Sequence, residues 1–344
     1  MNGPRQARSL QLIVLLSLLL PASLLAALTW GSFSLGLGES FAALMQISQQ
    51  ANDQATVIVQ QIRLPRALLA GLVGALLAIS GAAMQGLFRN PLADPSLIGV
   101  TAGASLGASL MIAGVGAWTS GFAALTLVSA GAFIGGILAV LLVYKLANSA
   151  NGTSVATMLL AGIAITALAG AMSNVLELFS SNEVLRRISL WRMGGLDGAD
   201  YQRVAVAFVI CLATSALLPR YATALNALLL GESEARYLGI KVEQTKTVIV
   251  LLVAIAVGAS VALAGTIAFV GLVVPHIVRL LIGPDHRYLL PASAIAGAVL
   301  LICSDIVART VIAPTELPVG IVTACIGVPF FVSLLHRRRD YGMQ

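Results

Sequence analysis

The chain has 344 residues, of which 58% are hydrophobic and only 10% are charged, and its mean hydropathy is +0.96. Soluble proteins are about 45–50% apolar and about 25% charged, so this composition excludes a water-soluble protein. The formal charge of +6 is scattered among apolar segments and therefore does not indicate a nucleic-acid partner. The composition predicts an all-α integral membrane protein, embedded in a lipid bilayer as a single transmembrane domain over residues 1–344.

Apolar runs bounded by charges, Pro and Gly predict about ten transmembrane helices, since one span needs about 20 apolar residues. The first run is longer than the roughly 7–15 apolar residues of a signal peptide, so it is predicted to be retained. No polar loop separates the two runs on either side of Gly265. The predicted spans are 9–30, 63–86, 94–113, 119–145, 155–178, 201–219, 244–266, 267–282, 288–308 and 317–336.

The basic residues predict the orientation of these spans. An even number of spans places both termini on one side of the membrane, where thirteen of the twenty Lys and Arg then lie. Arg337, Arg338 and Arg339, near the end of the chain, are among them. Because loops rich in Lys and Arg stay on the cytoplasmic side, we expect both termini to be cytoplasmic.

Small residues recur at helical spacing in the third and fourth spans. Gly99, Gly103 and Gly107 are four residues apart, and Gly131 and Gly135 repeat that spacing. Such faces let helix backbones approach closely where lipid provides no hydrophobic driving force. They predict a tightly packed bundle rather than a particular function.

The sequence carries no recognisable motif for chemistry on a substrate. A G-x-x-x-x-G-K-[ST] phosphate loop and an HExxH zinc motif are both absent. Cys211, Cys303 and Cys325 match no metal or disulfide spacing. The acidic residues avoid the centres of the predicted spans, whereas ion-coupled carriers tend to keep ionisable groups there. We therefore predict a protein that is not an enzyme, binds no metal or cofactor, and receives its energy from a partner.

Two arginines occupy an electrostatically unfavourable place, the start of the second span on the outer side. Pro65 suits a first helical turn, which puts Arg63 and Arg66 at the positive end of the helix dipole. Two interpretations are open: contact with lipid phosphates, or docking of an acidic patch on an external protein. Arg309, at the outer end of the ninth span, either joins them or pairs with Asp305 one helical turn earlier.

Several longer motifs follow one another along residues 60–336. They are Arg63-Leu-Pro-Arg66, Gly86-Leu-Phe-Arg89-Asn-Pro91-Leu-Ala-Asp94-Pro95, Leu230-Gly231-Glu232, Leu238-Gly239, Pro275-His276-Ile-Val-Arg279, Pro318-Val-Gly320 and Gly327-Val-Pro329. Together they resemble the FecCD-type, BtuC-like permease subunits of bacterial type II ABC importers, a family that takes up haem, ferric siderophores and vitamin B12.

The resemblance implies a ten-helix subunit that pairs with a second copy around a central translocation path in the bacterial inner membrane. Two cytoplasmic ATPase subunits, which hold the ATP and Mg, bind one face, and one periplasmic substrate-binding protein docks on the other. In the family an Arg-x-x-Arg pair and an arginine before the last span meet the binding protein. That role carries over to Arg63, Arg66 and Arg309.

The resemblance also assigns the longest cytoplasmic loop, residues 224–241, to coupling with the ATPase subunits. The alternative for the same segment is a solvated amphipathic surface helix. The residues carried over are Leu230, Gly231, Glu232, Ala235, Arg236, Leu238 and Gly239.

The fifth span resembles the helix that lines the translocation path of the family. Asn151, Val155 and Ala156 lie near its inner gate, and some relatives have a Thr-Ser pair in place of Val155 and Ala156. The resemblance thus implies a path or gate role for these three positions.

Residues 159–171 of the fifth span and residues 185–194 after it resemble the haem-importing branch of the family. Arg186, Arg187 and Arg192 would offer positive charge to the two haem propionates near the outer mouth, and contact with the lipid interface is their alternative. Met193-Gly194-Gly195 also resembles vitamin B12 permeases. The sequence therefore favours an ATP-driven importer of haem that works by alternating access. A ferric siderophore or vitamin B12 importer and an ion-coupled secondary transporter are the alternatives.

Overall fold

The computed structural model describes the backbone of residues 3–33, 35–45, 53–115, 122–149 and 152–341. Side chains are described for 6–33, 35–45, 54–114, 125–149 and 152–334. The helices in chain order are α1 (Gly3–Thr29), α2 (Leu37–Met45), α3 (Asp53–Val57), α4 (Leu64–Leu87), α5 (Val100–Val115), α6 (Phe122–Ala147), α7 (Val155–Leu178), α8 (Asn182–Arg192), α9 (Tyr201–Leu217), α10 (Ala222–Leu228), α11 (Glu232–Tyr237), α12 (Val242–Ala264), α13 (Val270–Ile282), α14 (His286–Thr310) and α15 (Val319–Tyr341).

Shorter elements join these helices. A π-helical turn, Ile58–Arg63, leads into α4, and 3₁₀ turns at Pro95–Ile98 and Leu218–Tyr221 precede α5 and α10. A two-stranded antiparallel hairpin, β1 (Asn148–Ser149) and β2 (Gly152–Thr153), connects α6 to α7.

The predicted all-α membrane fold is confirmed. Among the described residues, seven helical stretches are long and apolar enough to cross a bilayer, and three shorter apolar helices, at Val100–Gly114, Val270–Ile282 and Val319–Leu334, coincide with the three other predicted spans. The chain leaves the helical conformation at Gly265, whose φ of +68° ends α12, so two helices separate there without a polar loop.

Contacts between helix ends divide the bundle into two faces. The end of α1 meets the start of α4 and the end of α14. Arg63, just before α4, and Arg309, near the end of α14, both donate hydrogen bonds to carbonyls in the last turns of α1. The start of α9 lies there too, since the Tyr201 hydroxyl donates to the carbonyl of Gln60. We call this side the arginine face and the opposite side, which carries α11, the α11 face. By connectivity α1 begins and α15 ends at the α11 face.

Helices α4, α12 and α14 form the centre of the subunit, whereas α7 and α9 lie at its margin and are mostly exposed. A helix that is apolar all round, as α4 is, belongs in the middle of a bundle. Its small residues allow close contact with α14: a Cβ added to Gly74 would lie 2.2 Å from the Gly297 carbonyl oxygen.

The predicted glycine face joins α5 to α6. A Cβ added to Gly107 would lie 2.1 Å from the carbonyl oxygen of Gly131, and one on Gly103 would lie 2.4 Å from that of Gly135. The prediction was wrong for Gly99, which does not lie on the helix. Gly99 has a φ of +80° and closes the 3₁₀ turn before α5, where a left-handed conformation favours glycine.

Candidate functional site

A buried ionic cluster joins α4 to α14 at the arginine face. The Nε of Arg66 lies 2.9 Å from Oδ1 of Asp305, and the Nε of Arg309 lies 3.0 Å from Oδ2 of the same carboxylate. The Nη1 of Arg66 also lies 2.7 Å from Oε2 of Glu316, in the segment between α14 and α15. Asp305 is only 1% exposed. Its carboxylate therefore bridges two guanidinium groups in the interior of the protein. The pairing of Arg309 with Asp305 is the alternative that the sequence left open.

Arg63 turns away from solvent and caps α1. Its Nη1 donates to the carbonyls of Leu28 and Thr29 at 2.7 and 2.9 Å, and its Nη2 donates to the carbonyl of Phe33. The last carbonyls of a helix carry its negative dipole end and lack partners within the helix. A cation placed there is therefore stabilised, although it stands at the start of α4.

The burial of these arginines bears on their predicted docking role. Arg63, Arg66 and Arg309 are 3, 7 and 4% exposed, so their guanidinium groups face internal partners rather than lipid phosphates. Contact with a binding protein stays a prediction. Glu316, which the sequence analysis did not single out, is the partly exposed member of the cluster.

The predicted coupling segment forms a compact projection on the α11 face. Leu230, Tyr237 and Leu238 are exposed, Tyr237 to 92%. Gly231 and Gly239 have positive φ angles and bend the chain at either end of α11. Exposed apolar side chains on and beside α11 favour a partner surface, and the coupling role stays a prediction.

The seven predicted coupling residues divide between two surfaces of this projection. Four lie outward and are exposed: Leu230, Arg236, Leu238 and Gly239. Ala235 and Gly231 are buried, and Glu232 is partly buried against α12. The inward residues therefore position the segment, while the outward ones are available to a partner.

Beneath α11 lies an ionic network that sequence reasoning missed. The Nζ of Lys246, on α12, lies 2.7 Å from Oε2 of Glu232 and 2.7 Å from the carbonyl oxygen of Thr153. Glu243 accepts a hydrogen bond from the backbone N–H of Thr153 at 2.8 Å. The available signal was the Glu243 and Lys246 pair, three residues apart at the start of an apolar run.

A second polar anchor holds α10 against the start of α14. The side-chain amide of Asn226 donates to Oδ1 of Asp285 at 2.7 Å and accepts from the backbone N–H of His286 at 2.9 Å. Asp285 caps α14 by accepting from the N–H of Arg287. The hydrogen bonds from Arg287 and Asn226 lower the pKa of Asp285 to about 2, so it is ionised at neutral pH.

The predicted path residues lie at opposite ends of α7 and do not form one cluster. Val155 and Ala156 begin α7 at the α11 face, after Ser154, which caps the helix. Asn151 lies outside the described residues. The three predicted arginines belong to α8, at the arginine face, beyond the other end of α7: Arg186, Arg187 and Arg192.

Two of these arginines are already paired with carboxylates. Arg187 lies 2.6 Å from Glu183 one turn earlier, with both side chains exposed. Arg192 lies 2.7 Å from Glu177, near the end of α7. These ion pairs are partly solvated, so the arginines can exchange partners at low cost.

A groove of about 630 Å³ opens beside Arg192. It runs between the end of α8, the junction of α12 with α13, and the first turns of α15. Its lining is largely apolar, with one cation at the rim: Arg192, Met193, Thr266, Ala268, Gly320, Ile321, Ala324, Cys325, Val328 and Pro329. Within the part of the chain that the structure describes, no group of three or more His, Cys, Asp or Glu side chains converges as a metal site.

The arrangement combines a multi-pass bundle, an exposed apolar projection and an open groove at the other face. The family model of the FecCD transport family matches residues 18–337. The chain belongs to the FecCD transport family. This FecCD protein is 46% identical to the hemin transport system permease protein HmuU of Yersinia pestis, over 99% of both chains.

Other relatives of this FecCD protein are permeases for cobalamin. It is 44% identical to the cobalamin import system permease protein BtuC of Halobacterium salinarum, over 83% of this chain and 75% of that one. Among solved structures, it matches a transporter described as metal-chelate type and inward-facing, with a TM-score of 0.83 and 32% identity over 95% of this chain and 99% of that chain. This FecCD protein is thus a multi-pass permease of the ABC importer class.

Proposed function

We propose that this FecCD permease carries haem from the periplasm to the cytoplasm, with ferric siderophore or vitamin B12 as the alternative cargo. The observation that carries the proposal is the 46% identity to a hemin permease along the whole chain. The groove beside Arg192 supports it, because an apolar wall with a cation at the rim suits a flat macrocycle that bears carboxylates. Haem is cargo here, not a resident cofactor.

The translocation path lies between two copies of the chain. In one subunit α7 exposes apolar side chains along most of its length, such as Leu160, Ile163, Leu168 and Val175. A second copy packed near α7 and α15 would enclose the groove and give it two openings, one at each membrane face. Val155 and Ala156 would then lie at the inner gate and Arg186, Arg187 and Arg192 at the outer mouth.

The α11 face is the cytoplasmic face, where two ATPase subunits bind. The exposed Leu230, Tyr237 and Leu238 support this placement, since they offer apolar surface to a groove on a partner. Closure of the ATPase subunits around ATP and Mg would move α11 and switch the bundle between outward-open and inward-open states. Both termini are then cytoplasmic in the bacterial inner membrane.

The arginine face receives the periplasmic binding protein. Arg63, Arg66 and Arg309 are buried and internally paired. They either contact the binding protein directly or hold in place the surface that it contacts. An Arg309→Lys variant separates the two roles. Weaker binding-protein affinity at unchanged thermal stability supports direct docking, whereas lower stability with unchanged affinity supports a structural role.

The deciding experiment uses the permease assembled with its ATPase subunits in liposomes and given binding protein loaded with haem, vitamin B12 or ferric siderophore. We expect loaded haem to stimulate ATP hydrolysis and to accumulate inside. Stimulation by one of the other ligands alone would reassign the cargo. Uptake by the permease without ATPase subunits would overturn the importer and favour an ion-coupled transporter.

A further inference from the structure

The ionic network beneath α11 joins three separate elements through one ammonium group. Lys246, on α12, is 1% exposed. Its Nζ contacts Glu232 of α11 at 2.7 Å, the carbonyl of Thr153 in β2 at 2.7 Å, and Glu243 of α12 at 3.4 Å. An ammonium group has three N–H donors, and these three acceptors satisfy all of them.

Stability alone is a weak reason for such an arrangement. A buried ion pair gains little over well-packed apolar residues of the same volume, because desolvation offsets the Coulombic attraction. What the charge does provide is a fixed geometry among its partners. Here the partners come from the exposed projection and from the hairpin between α6 and α7.

On the hairpin side, the network fixes the start of α7. Thr153 is bound at both backbone atoms, its carbonyl by Lys246 and its N–H by Glu243. The next residue, Ser154, caps α7 by accepting from the N–H of Thr157 at 3.3 Å. A shift of Thr153 therefore moves the first turn of α7, where Val155 lies.

On the projection side, the network reaches the surface that faces the partner. Glu232 occupies the first turn of α11, between the exposed Leu230 and Leu238. Arg236 adds weaker contacts, at 3.7 Å to Glu232 and 3.5 Å to Glu243. The exposed Leu230 thus lies two residues before Glu232, whose carboxylate contacts the Lys246 ammonium.

We propose that Lys246 is the positioning residue that transmits the movement of α11 to the hairpin strands 148–149 and 152–153 and thereby to the inner end of α7. The proposal rests on the proposed function, in which ATPase subunits move α11. Because the same ammonium holds Glu232 and Thr153, α11 and the hairpin move as one unit. Without that link, ATPase subunits move α11 while α7 stays in place.

The test compares Lys246→Met, Glu232→Ala and the double variant in the complete complex in liposomes. Met keeps the volume of the Lys stem, and the two carboxylates it frees are partly exposed, so the fold should tolerate it. Lys145→Met is the matched control, an exposed lysine near the same hairpin. We expect ATP hydrolysis to be retained while the amount of cargo taken up per ATP falls about fivefold or more. Fivefold is about the smallest effect that coupling between distant sites usually has.

The double variant should lose no more uptake per ATP than either single variant, because both changes break the same link. Unchanged uptake per ATP in both single variants, or losses that add, would overturn the proposal. If Lys246→Met does not assemble, Glu232→Ala decides, since it removes the acceptor on the projection side alone.

A second readout does not depend on transport. Spin labels at Ser233→Cys on α11 and Ser149→Cys on the hairpin, in a background without the native cysteines, report the distance between the two elements. We expect that distance to stay the same with and without ATP in the wild type and to change with ATP in Lys246→Met. Equal behaviour in both proteins would contradict the link. A wild-type complex without ATP-driven uptake would instead refute the proposed function.

Discussion

A carboxylate between two guanidinium groups holds the arginine face together at the residue scale. Asp305 lies within 3.0 Å of both Arg66 and Arg309, and all three side chains are buried. Each arginine has one further partner, Glu316 for the first and the Ala27 carbonyl for the second. The cluster therefore ties α1, α4 and α14 to the segment before α15.

Replacing Asp305 by Asn should be among the most destabilising single changes in the chain. It leaves two buried cations without their shared counter-ion, and removal of one partner from a buried pair costs about 3–5 kcal/mol. Thermal denaturation in detergent measures the loss.

The matched change is Glu316→Gln, because Glu316 is 37% exposed and solvent replaces part of its interaction. Its expected cost is below about 1 kcal/mol. Equal losses in the two variants would show that Asp305 does not bridge the arginines.

Glycine contacts and helix caps decide how neighbouring elements fit at the element scale. Helices α5 and α6 approach through Gly103, Gly107, Gly131 and Gly135, where backbone meets backbone. The polar caps of α7, α9 and α14 come from Ser154, Asp200 and Asp285. The caps satisfy backbone N–H groups at helix starts, and the glycines let two helix backbones pack closely.

Gly107→Ala should push α5 away from α6, because the new Cβ would lie 2.1 Å from the Gly131 carbonyl oxygen. Overpacking of this kind costs about 1–3 kcal/mol. Gly114→Ala on the same helix meets nothing within 4 Å and should be neutral or slightly stabilising. Denaturation midpoints of the two variants measure this difference in stability. Equal destabilisation by both variants would show that the contact between Gly107 and Gly131 is not the cause.

Asp285→Ala should weaken the start of α14 by about 1 kcal/mol at neutral pH, the usual cost of losing a helix cap. Because the pKa of Asp285 is lowered to about 2, its contribution is present above about pH 4 and is lost as the pH falls through 2. The difference between wild type and variant, measured as a denaturation midpoint, should therefore narrow over that interval.

Ser181→Ala removes the uncharged cap of α8 and serves as the control. Its cost should not change over the same pH interval, since a hydroxyl does not titrate there. A pH-independent cost for Asp285→Ala would show that the charge of Asp285 contributes nothing to α14.

Two faces with different chemistry define the whole molecule. The arginine face carries a buried cluster of ion pairs, whereas the α11 face carries exposed apolar side chains. The anchors at Asn226 and Lys246 connect that surface to α14 and to the hairpin before α7. The α11 projection is therefore tied to the bundle at two places.

Leu230→Ser together with Leu238→Ser should weaken the association with the ATPase subunits and leave the bundle folded, since both side chains are exposed. Burial of a Leu side chain contributes about 1.5–3 kcal/mol, so the affinity should fall by about tenfold or more. Binding of ATPase subunits to the detergent-solubilised permease measures it. Phe33→Ser replaces an exposed apolar side chain at the arginine face and should leave the affinity unchanged. Equal affinity of the wild type, the double variant and Phe33→Ser would contradict coupling through α11.

Sequence alone determined the membrane location, the positions of the ten spans to within a few residues and the small-residue faces of α5 and α6. These features are local: a bilayer forces each span to be a continuous apolar run, and helical spacing shows which small residues share a face. The family motifs likewise located the projection at 224–241.

Only the tertiary structure decided which charged side chains meet. Asp305 and Glu316 reach Arg66 across 239 and 250 residues of sequence, and Lys246 reaches Thr153 across 93. Spacing along a helix predicts neighbours three or four residues apart, as it did for Arg309 and Asp305. Partners on different helices are brought together by packing of the whole bundle, and burial of the three outer arginines followed from that packing and not from their place in the sequence.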